Sequence, residues 1–574
     1  ENAPALAGIC SQLDGIPLAI ELAAARIKVL TVERIYERLN SRFSLLTGGK
    51  RTALPRQQTL KALIDWSYDL LSGQEKILWS RLSIFVDGWT LESAEEICSD
   101  DKVNEEEILD LLSLLLEKSI IIFDSEEERY RILESIRSYG EEKLKEANET
   151  NKISSKHLHY FMELSETAEP KLKGPEAKEW LEKIETEHGN LESAIEWSLK
   201  NGYSEEGSRL AGALGWFWDM RGYYFTGRRL LESVLNKMQG ISNSSKVKAL
   251  DSAGVLANYQ GDYEQARKYH EENLKLNRKL GDKSGIATSL NSLGSNAYDQ
   301  GDYQKAQNFY NESLFLARKM GFERGIATSL NGLGKVSHSQ GDYEQAQKFC
   351  EESLVLFRER GDKFGIALSL GNLGVIAYNQ RNYQQAQKFY DESLAIQREL
   401  GDKSGIATSL NNLGIGAYNQ RDYQQAQKYH NESLSLRREI GEKSAISSSL
   451  INLGSVVYDQ GDYQQAQMCY EESLSLARET GDKLSIAYCI EGFAGIASIK
   501  NHPNQAILLL GATETAFQSL GYVREKNDLT QHKRILTKLH EQLTEEEFSK
   551  YWEEGKKLTL EQAAELALEK ENGE

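Results

Sequence analysis

The sequence predicts an all-α fold built around a solenoid of helical pairs. Three observations support this: a 40-residue period from 241 to 480, apolar residues at helical spacing within each period, and turn residues between two such stretches. A fixed period over six units is typical of stacked repeats rather than of one globular core. The alanine of the recurring run DYxxA marks the units at Ala266, Ala306, Ala346, Ala386, Ala426 and Ala466.

Each period divides into two predicted helices. In the unit 401–440, Leu410 opens a stripe of apolar residues at i, i+3 and i+7, and a second stripe begins at Ala426. Gly401 and its equivalents are expected to end the preceding helix, because glycine is favoured just past a helix carboxyl end. Gly414 and Ala426 are small, so we expect the two antiparallel helices to approach closely there.

The order Leu-Gly, Tyr, Ala resembles the tetratricopeptide repeat, in the 40-residue form of kinesin light chains and bacterial regulatory ATPases. The resemblance implies a right-handed superhelix in which the first helix of each pair lines a concave groove. It covers 241–480 as six repeats. We expect a helical linker and a degenerate repeat at 150–240, and a degenerate repeat with a helical carboxyl-terminal cap at 481–574.

The implied groove carries a row of asparagines and a row of aromatic residues. Asparagine amides both donate and accept hydrogen bonds, so they predict a clamp for an extended peptide, although they could instead tie neighbouring repeats together. Recurring aromatic residues are more typical of packing between repeats. Only Lys335 is basic nearby, which disfavours a chaperone-tail clamp. The candidate partner-binding residues are Asn291, Asn331, Asn372, Asn411, Asn412, Asn452, Tyr298, Tyr378, Tyr418 and Tyr458.

The amino-terminal third carries a different signature. The run GIPLAIELAAARI (15–27) resembles the GLPLA motif of NB-ARC-type ATPases, which are signal-transduction (STAND-type) switch proteins, and RLSIFVDGWTLESAEEIC (81–98) resembles their winged-helix domain. The resemblance implies a remnant of a helical domain at 1–50 and a winged helix at 51–145. It also implies that Pro17 lies against the adenine of a nucleotide, at the edge of a site that an upstream domain completes.

Charge argues against nucleic acid as a partner of this winged helix. Residues 51–140 hold ten Lys and Arg against 19 Asp and Glu, and the whole chain has a formal charge of −19. Alternation around the acidic turn Asp124–Glu128 predicts a short β-wing. We therefore expect the winged helix to relay a signal, without contacting nucleic acid.

Nucleotide chemistry by this chain alone is not expected. No GxxxxGK[ST] loop occurs, and Gly49-Lys50 lacks the residues around it that such a loop needs. The chain begins at Glu1 within a helical pattern, so we expect a longer parent that holds the ATP or ADP. No cofactor is expected in this chain.

Catalytic and metal sites are not expected either, because no nucleophile–base pair stands out and five scattered cysteines form no CxxC pair. The nearest candidate for a membrane span, LLSLLL at 111–116, is cut at once by Glu117 and Lys118, and cytoplasm is the expected location. We expect a regulatory part of a signal-transduction ATPase, whose repeats sense a protein, peptide or inducer and whose activated parent could form a homo-oligomer. The alternative is a free-standing tetratricopeptide scaffold.

Overall fold

The computed structural model describes residues 3–12, 20, 24, 27, 30–38, 60–174, 176–237, 241–520 and 526–569. The chain forms two compact units. The first holds residues 1–168, 182–210 and 237–240, and the second holds 169–181, 211–236 and 241–574. The predicted linker and degenerate repeat at 150–240 are thus shared between the two units.

The first unit is a set of short helices with one β-hairpin. Its described helices are α1 Ala3–Gln12, α2 Val32–Arg38, α3 Leu60–Asp69, α4 Gly73–Leu82, α5 Leu91–Cys98, α6 Ile108–Glu117, α7 Glu134–Glu146, α8 Thr150–Ala168 and α10 His188–Asn201. Helices α9 Ala177–Thr186 and α11 Ser204–Arg221 each run across the boundary between the units.

The hairpin pairs β1 Ile121–Asp124 with β2 Arg129–Ile132 in antiparallel register, Ile121 opposite Ile132. Trp89 extends it by exchanging both backbone hydrogen bonds with Tyr130, each 2.9 Å long. This small sheet fits the predicted wing around the acidic turn. Together with the helical repeats of the second unit, it confirms the predicted fold class.

Arg81, on α4, is the centre of a buried ion-pair network in the first unit. Its side chain is fully buried and donates two hydrogen bonds of 2.8 Å to Asp100 and one of 3.0 Å to Glu149. Burial alone would raise the pKa of Asp100, but the hydrogen bonds from Arg81 hold that pKa well below its usual range. The network therefore joins α4 to the start of α8 through charged groups that need one another.

The second unit is a tandem array of antiparallel helix pairs. Two helix lengths alternate along the repeats, 17 residues in each first helix and 18 in each second helix. The helices are α12 Tyr224–Leu235, α13 Asn243–Tyr259, α14 Tyr263–Leu280, α15 Lys283–Asp299, α16 Tyr303–Met320, α17 Glu323–Ser339, α18 Tyr343–Arg360, α19 Lys363–Asn379, α20 Tyr383–Leu400, α21 Lys403–Asn419, α22 Tyr423–Ile440, α23 Lys443–Asp459, α24 Tyr463–Thr480, α25 Lys483–Ile499, α26 Pro503–Ser519, α27 Lys526–Gln542, α28 Glu545–Gly555 and α29 Leu560–Leu568.

Local chemistry sets these boundaries as expected. Asp402 caps α21 by accepting a hydrogen bond of 2.9 Å from the backbone N–H of Gly405. Gly401 ends α20 in the left-handed conformation, with φ of 66°. Gly414 lies flat against the ring of His430, where an added Cβ would come within 2.7 Å of the imidazole. The predicted close approach of the two helices at Gly414 is confirmed.

The array also contacts itself across a long sequence distance, in what we call the closing contact. Arg221, at the end of α11, donates to the carbonyl oxygens of Leu400 (3.3 Å) and Gly401 (3.2 Å). The ring of Trp216 meets that of Phe364 edge-on, with centroids 4.7 Å apart. The residues before α12 therefore pack on the first turn of α19 and on the connection that precedes α21.

Candidate functional site

A cavity opens on the first-helix face, the surface formed by the first helices of successive repeats. Its volume is about 330 Å³, near the lower end of the range of about 300–1,000 Å³ that is typical of ligand pockets. Three first helices (α19, α21, α23), the first part of a fourth (α25) and two second helices (α22 and α24) contribute to it. The lining residues are Tyr378, Ile415, Tyr418, Asn419, His430, Ser448, Ile451, Asn452, Ser455, Tyr470, Asp482, Leu484, Ser485, Tyr488, Glu491 and Gly492.

The side chain behind the Leu-Gly pair differs among the repeats. In the repeats at 281, 361 and 441 that position on the second helix holds a tyrosine, whose ring packs on the repeat's own glycine. His430 occupies the position in the repeat at 401, as His270 does in the repeat at 241, and Cys350 occupies it in the repeat at 321. His430 and Asn452 of the next repeat both line the cavity.

The side chain of His430 is buried, with 1% of its surface exposed, and its Nδ1 has no hydrogen-bond partner among the described residues. Burial lowers the pKa of His430 to about 4, helped by the positive charge of Arg437. The ring is therefore neutral at pH 7. The equivalent His270 in the repeat at 241 also has a buried Nδ1 without a partner among the described residues, so this atom alone does not indicate a ligand.

The predicted asparagine row divides into two sets. Asn291, Asn331 and Asn411 are buried and bind neighbouring repeats: the first accepts from Ser329 (2.9 Å), and Asn331 donates to Ser369 (3.0 Å). These three amides hold repeats together, which is the alternative that the sequence left open.

The remaining asparagines, Asn372, Asn412 and Asn452, are half-buried on the first-helix face. Asn372 donates to Asn331 (3.1 Å) and Asn452 donates to Asn411 (3.0 Å), whereas Asn412 has no partner among the described residues. Of the whole row, Asn452 lines the cavity. A ligand role for these three stays a prediction.

The predicted aromatic row lies between repeats and also borders the cavity. Tyr298 binds Ser339 (2.9 Å), Tyr418 donates to Asp459 (2.9 Å), and Tyr458 donates to the Gly495 carbonyl (3.3 Å). Tyr378 accepts a hydrogen bond from Asn419. Each of these four rings also packs on the tyrosine of its own DY or NY pair, with centroids 5.3 to 5.8 Å apart.

Tyr378 and Tyr418 line the cavity, whereas Tyr298 and Tyr458 are not among its lining residues. The aromatic row therefore serves packing throughout, and at two positions it also presents ring surface to the cavity.

Two carboxylates line the cavity, and none of its lining side chains, all of them described, is Lys or Arg. Asp482 caps α25 by accepting from the N–H groups of Leu484 and Ser485, both at 3.1 Å. Glu491 is buried and lies 2.6 Å from His532 on α27. The cavity thus combines apolar walls, tyrosine rings and negative charge.

Sequence reasoning missed His430, Asp482 and Glu491 as functional candidates. No signal in the sequence singles out His430, because its row holds tyrosine in three repeats, His270 in a fourth and Cys350 in a fifth. Pro17, the predicted nucleotide-edge residue, lies outside the described residues. Within the described ranges, no group of three or more His, Cys, Asp or Glu side chains could hold a metal ion. No helix there is both long and apolar enough to cross a bilayer.

The helix pairs and their first-helix face define a tandem array of tetratricopeptide repeats. Residues 247–319, 325–399, 365–439 and 445–519 match the family described as tetratricopeptide repeat. Among curated proteins, "Putative HTH-type transcriptional regulator Mb0914c" of Mycobacterium bovis is 35% identical over 264 residues, 45% of this chain and 30% of that protein. "Uncharacterized protein Rv0894" of Mycobacterium tuberculosis is 38% identical over 164 residues, 28% of this chain and 42% of that protein. The chain thus spans less than half the length of either relative.

Two solved structures are similar to parts of the chain. One is the signal transduction ATPase (STAND) protein with a tetratricopeptide repeat sensor from Pyrococcus horikoshii, 18% identical with a TM-score of 0.44, covering 86% of this chain and 71% of that one. The other is NprR in complex with its cognate peptide NprX, 17% identical with a TM-score of 0.40, covering 54% and 90%.

Proposed function

We propose that this chain is the sensor and protein-interaction part of a regulatory protein. In this proposal the repeats bind a peptide, or an extended segment of a protein, along the first-helix face. The cavity at His430 is the observation that carries the proposal. It is assembled from successive repeats, so a side chain that fills it contacts several helix pairs at once.

Such a ligand can also change the relative orientation of the repeats, because it contacts several repeats at once. A ligand shifts a conformational equilibrium only if it binds one arrangement better than another. A side chain held between α21, α23 and α25 favours the arrangement in which those helices keep the observed spacing. In this way, occupancy of one cavity affects the curvature of the repeats on both sides of it.

The finer part of the proposal concerns the first unit. We propose that residues 51–145 act as a winged-helix relay and that Pro17 borders a nucleotide site for ATP or ADP completed in a longer parent. The resemblance of the motifs at 15–27 and 81–98 supports this. The antiparallel β1–β2 hairpin, which lies within 51–145, is consistent with a wing. The name of the mycobacterial relative, a putative transcriptional regulator, supports the coarser idea of a regulatory role.

A peptide selection with a matched pair of variants tests the binding proposal. Ser455 lines the cavity and its Oγ lies 3.5 Å from the Tyr470 hydroxyl, so Ser455→Trp fills the space. Ser295→Trp is the control, because Ser295 holds the same repeat position two or more repeats away from the cavity. Both variants are first compared with the parent chain by circular dichroism and thermal unfolding.

Phage-displayed random dodecapeptides are then selected on the chain and on each variant. We expect peptides that bind the chain and Ser295→Trp but bind Ser455→Trp at least about tenfold more weakly, since tenfold corresponds to roughly 1.4 kcal/mol. If no selected peptide distinguishes the two tryptophan variants, the cavity is not the ligand site and the proposal is wrong.

A further inference from the structure

The charge and ring surface of the cavity indicate the chemistry of its ligand. Asp482 and Glu491 put two carboxylates on its wall, Glu491 also lies 2.6 Å from His532, and no Lys or Arg is among the lining residues. Arg437 donates to the carbonyl of Ala445 and to Ser449, both at 2.7 Å, and Arg534 pairs with Asp459 at 3.2 Å. An anionic ligand would therefore meet negative charge without a free cation in the wall to balance it.

The tyrosine rings are suited to the opposite charge. Tyr378, Tyr418, Tyr470 and Tyr488 all line the cavity. The hydroxyls of Tyr378 and Tyr418 are already bonded to protein groups, so these two residues present mainly ring surface. A cation within about 6 Å of an aromatic ring centre is attracted by the ring face, and more strongly where water is excluded.

His430 adds a buried aromatic ring to this environment. Burial lowers the pKa of this histidine to about 4, so at pH 7 its ring is neutral and places no positive charge against a cationic ligand. The side chain lines the cavity together with the four tyrosines.

We propose that the cavity binds an organic cation, the ammonium of a lysine or the guanidinium of an arginine in a basic peptide. This rests on the proposed peptide-binding function and specifies its ligand. The aliphatic part of such a side chain packs on Ile415, Ile451 and Leu484, while its charged end lies among the tyrosine rings and faces the carboxylates. The volume of about 330 Å³ is sufficient for one long side chain with its backbone.

Neutralising one carboxylate tests the charge without removing the helix cap. Asparagine caps helices about as well as aspartate, so Asp482→Asn keeps α25 and removes one negative charge. Asp282→Asn is the matched control, because Asp282 caps α15 in the same way, accepting from Ser284 and Gly285 at 3.0 Å, and does not line the cavity. Glu491→Gln is a second variant that removes the other carboxylate.

The readout is the sequence of the dodecapeptides that separate Ser455→Trp from Ser295→Trp, followed by calorimetric titration of the best synthetic peptide. We expect these peptides to be enriched in Lys and Arg. We also expect Asp482→Asn and Glu491→Gln each to weaken binding by about three- to fivefold, Asp282→Asn to leave it unchanged, and added salt to weaken it.

The outcomes separate the two proposals. Peptides without Lys or Arg enrichment, bound equally by Asp482→Asn, overturn the cation assignment and leave the peptide site intact. If no selected peptide binds Ser455→Trp more weakly than Ser295→Trp, both the peptide site and the cation assignment are overturned. Lysinamide and cadaverine are titrated in parallel, and binding as tight as that of the peptide assigns the same cationic chemistry to a small amine instead.

Discussion

Asp219 offers a test of the closing contact by substitution and pH. This carboxyl, on α11, is buried among acidic groups: Asp402 precedes α21 and Glu442 precedes α23. Lys173 is the cation that opposes them, and Tyr259 on α13 hydrogen-bonds to Asp219. Burial, followed by the Asp402 carboxylate, raises the pKa of Asp219 to about 8. Asp402 itself has a pKa raised to about 6, mainly by burial.

The sign of the effect follows from which state holds the proton. An unfolded aspartate titrates near pH 4, so between pH 4 and pH 8 the folded state binds the proton that the unfolded chain has lost. Stability from this group is therefore fully present below about pH 4 and is lost as the pH rises through about 8. A shift of one pKa unit corresponds to about 1.4 kcal/mol of folding free energy. Raising the pKa of Asp219 from 3.8 to about 8 therefore changes the free energy of unfolding by on the order of 5 kcal/mol.

Asp219→Asn replaces the protonated acid with a neutral side chain of the same shape. We expect it to match the parent chain at pH 4 and to exceed its stability by several kcal/mol at pH 8.5. Because repeat arrays open locally, hydrogen exchange should be followed at α11 and at the connections near 401 and 441, besides urea unfolding. Asp342→Asn is the control, since Asp342 is an exposed cap of α18 that accepts from Gln345 (3.1 Å). A stability gain that is the same at both pH values, or no gain at pH 8.5, would refute the reasoning.

Three further predictions, each tested by substitution, concern packing, hydrogen bonding and the buried ion pairs. Gly414→Ala should cost about 1–3 kcal/mol in thermal or urea unfolding, because its Cβ has no room beside His430; no loss would contradict the close approach. Asn331→Ala should destabilise the array by about 1–3 kcal/mol and leave peptide binding unchanged, whereas Asn412→Ala should leave stability within about 0.5 kcal/mol. The reverse result would show that Asn412 holds repeats together and that Asn331 does not. Arg81→Met should cost about 3–5 kcal/mol, seen as faster exchange in α4, because Asp100 and Glu149 lose their buried partner; the exposed Arg131→Met should cost almost nothing, and equal effects would contradict the network.

The repeat period predicted much of the second unit because its helix ends depend on local chemistry. The left-handed glycine at Gly401 and the aspartate cap at Asp402 act through neighbouring backbone groups, so the sequence pattern locates them directly. Gly414 was also predictable, since a glycine at constant spacing on a helix face indicates a close approach.

Contacts between repeats were harder to predict because they depend on the rotation from one repeat to the next. Asn331 and Asn372 occupy neighbouring columns of the repeat, and their amides meet across 41 residues. The sequence shows both as polar residues of one helix face, and does not show which amide turns inward. Burial of Asn331 and partial exposure of Asn372 follow only from the stacking geometry.

The closing contact lies further beyond sequence reasoning. Arg221 and Gly401 are 180 residues apart, and their contact depends on rotation accumulated over several repeats. The cavity likewise depends on side chains of different repeats, among them His430, Asp482 and Glu491, which only the stacking brings together.

Site-specific photo-crosslinking tests the central claim most directly, that a peptide binds at this cavity. Benzoyl-phenylalanine is placed at Ile415, which lines the cavity, and separately at Ser295, the same repeat position outside it. Each full-length chain is irradiated with the best selected peptide and the adduct is mapped by mass spectrometry. The account predicts an adduct from position 415, reduced by excess unlabelled peptide, and none from position 295. Equal adducts at both positions, or an adduct from 295 alone, would contradict it.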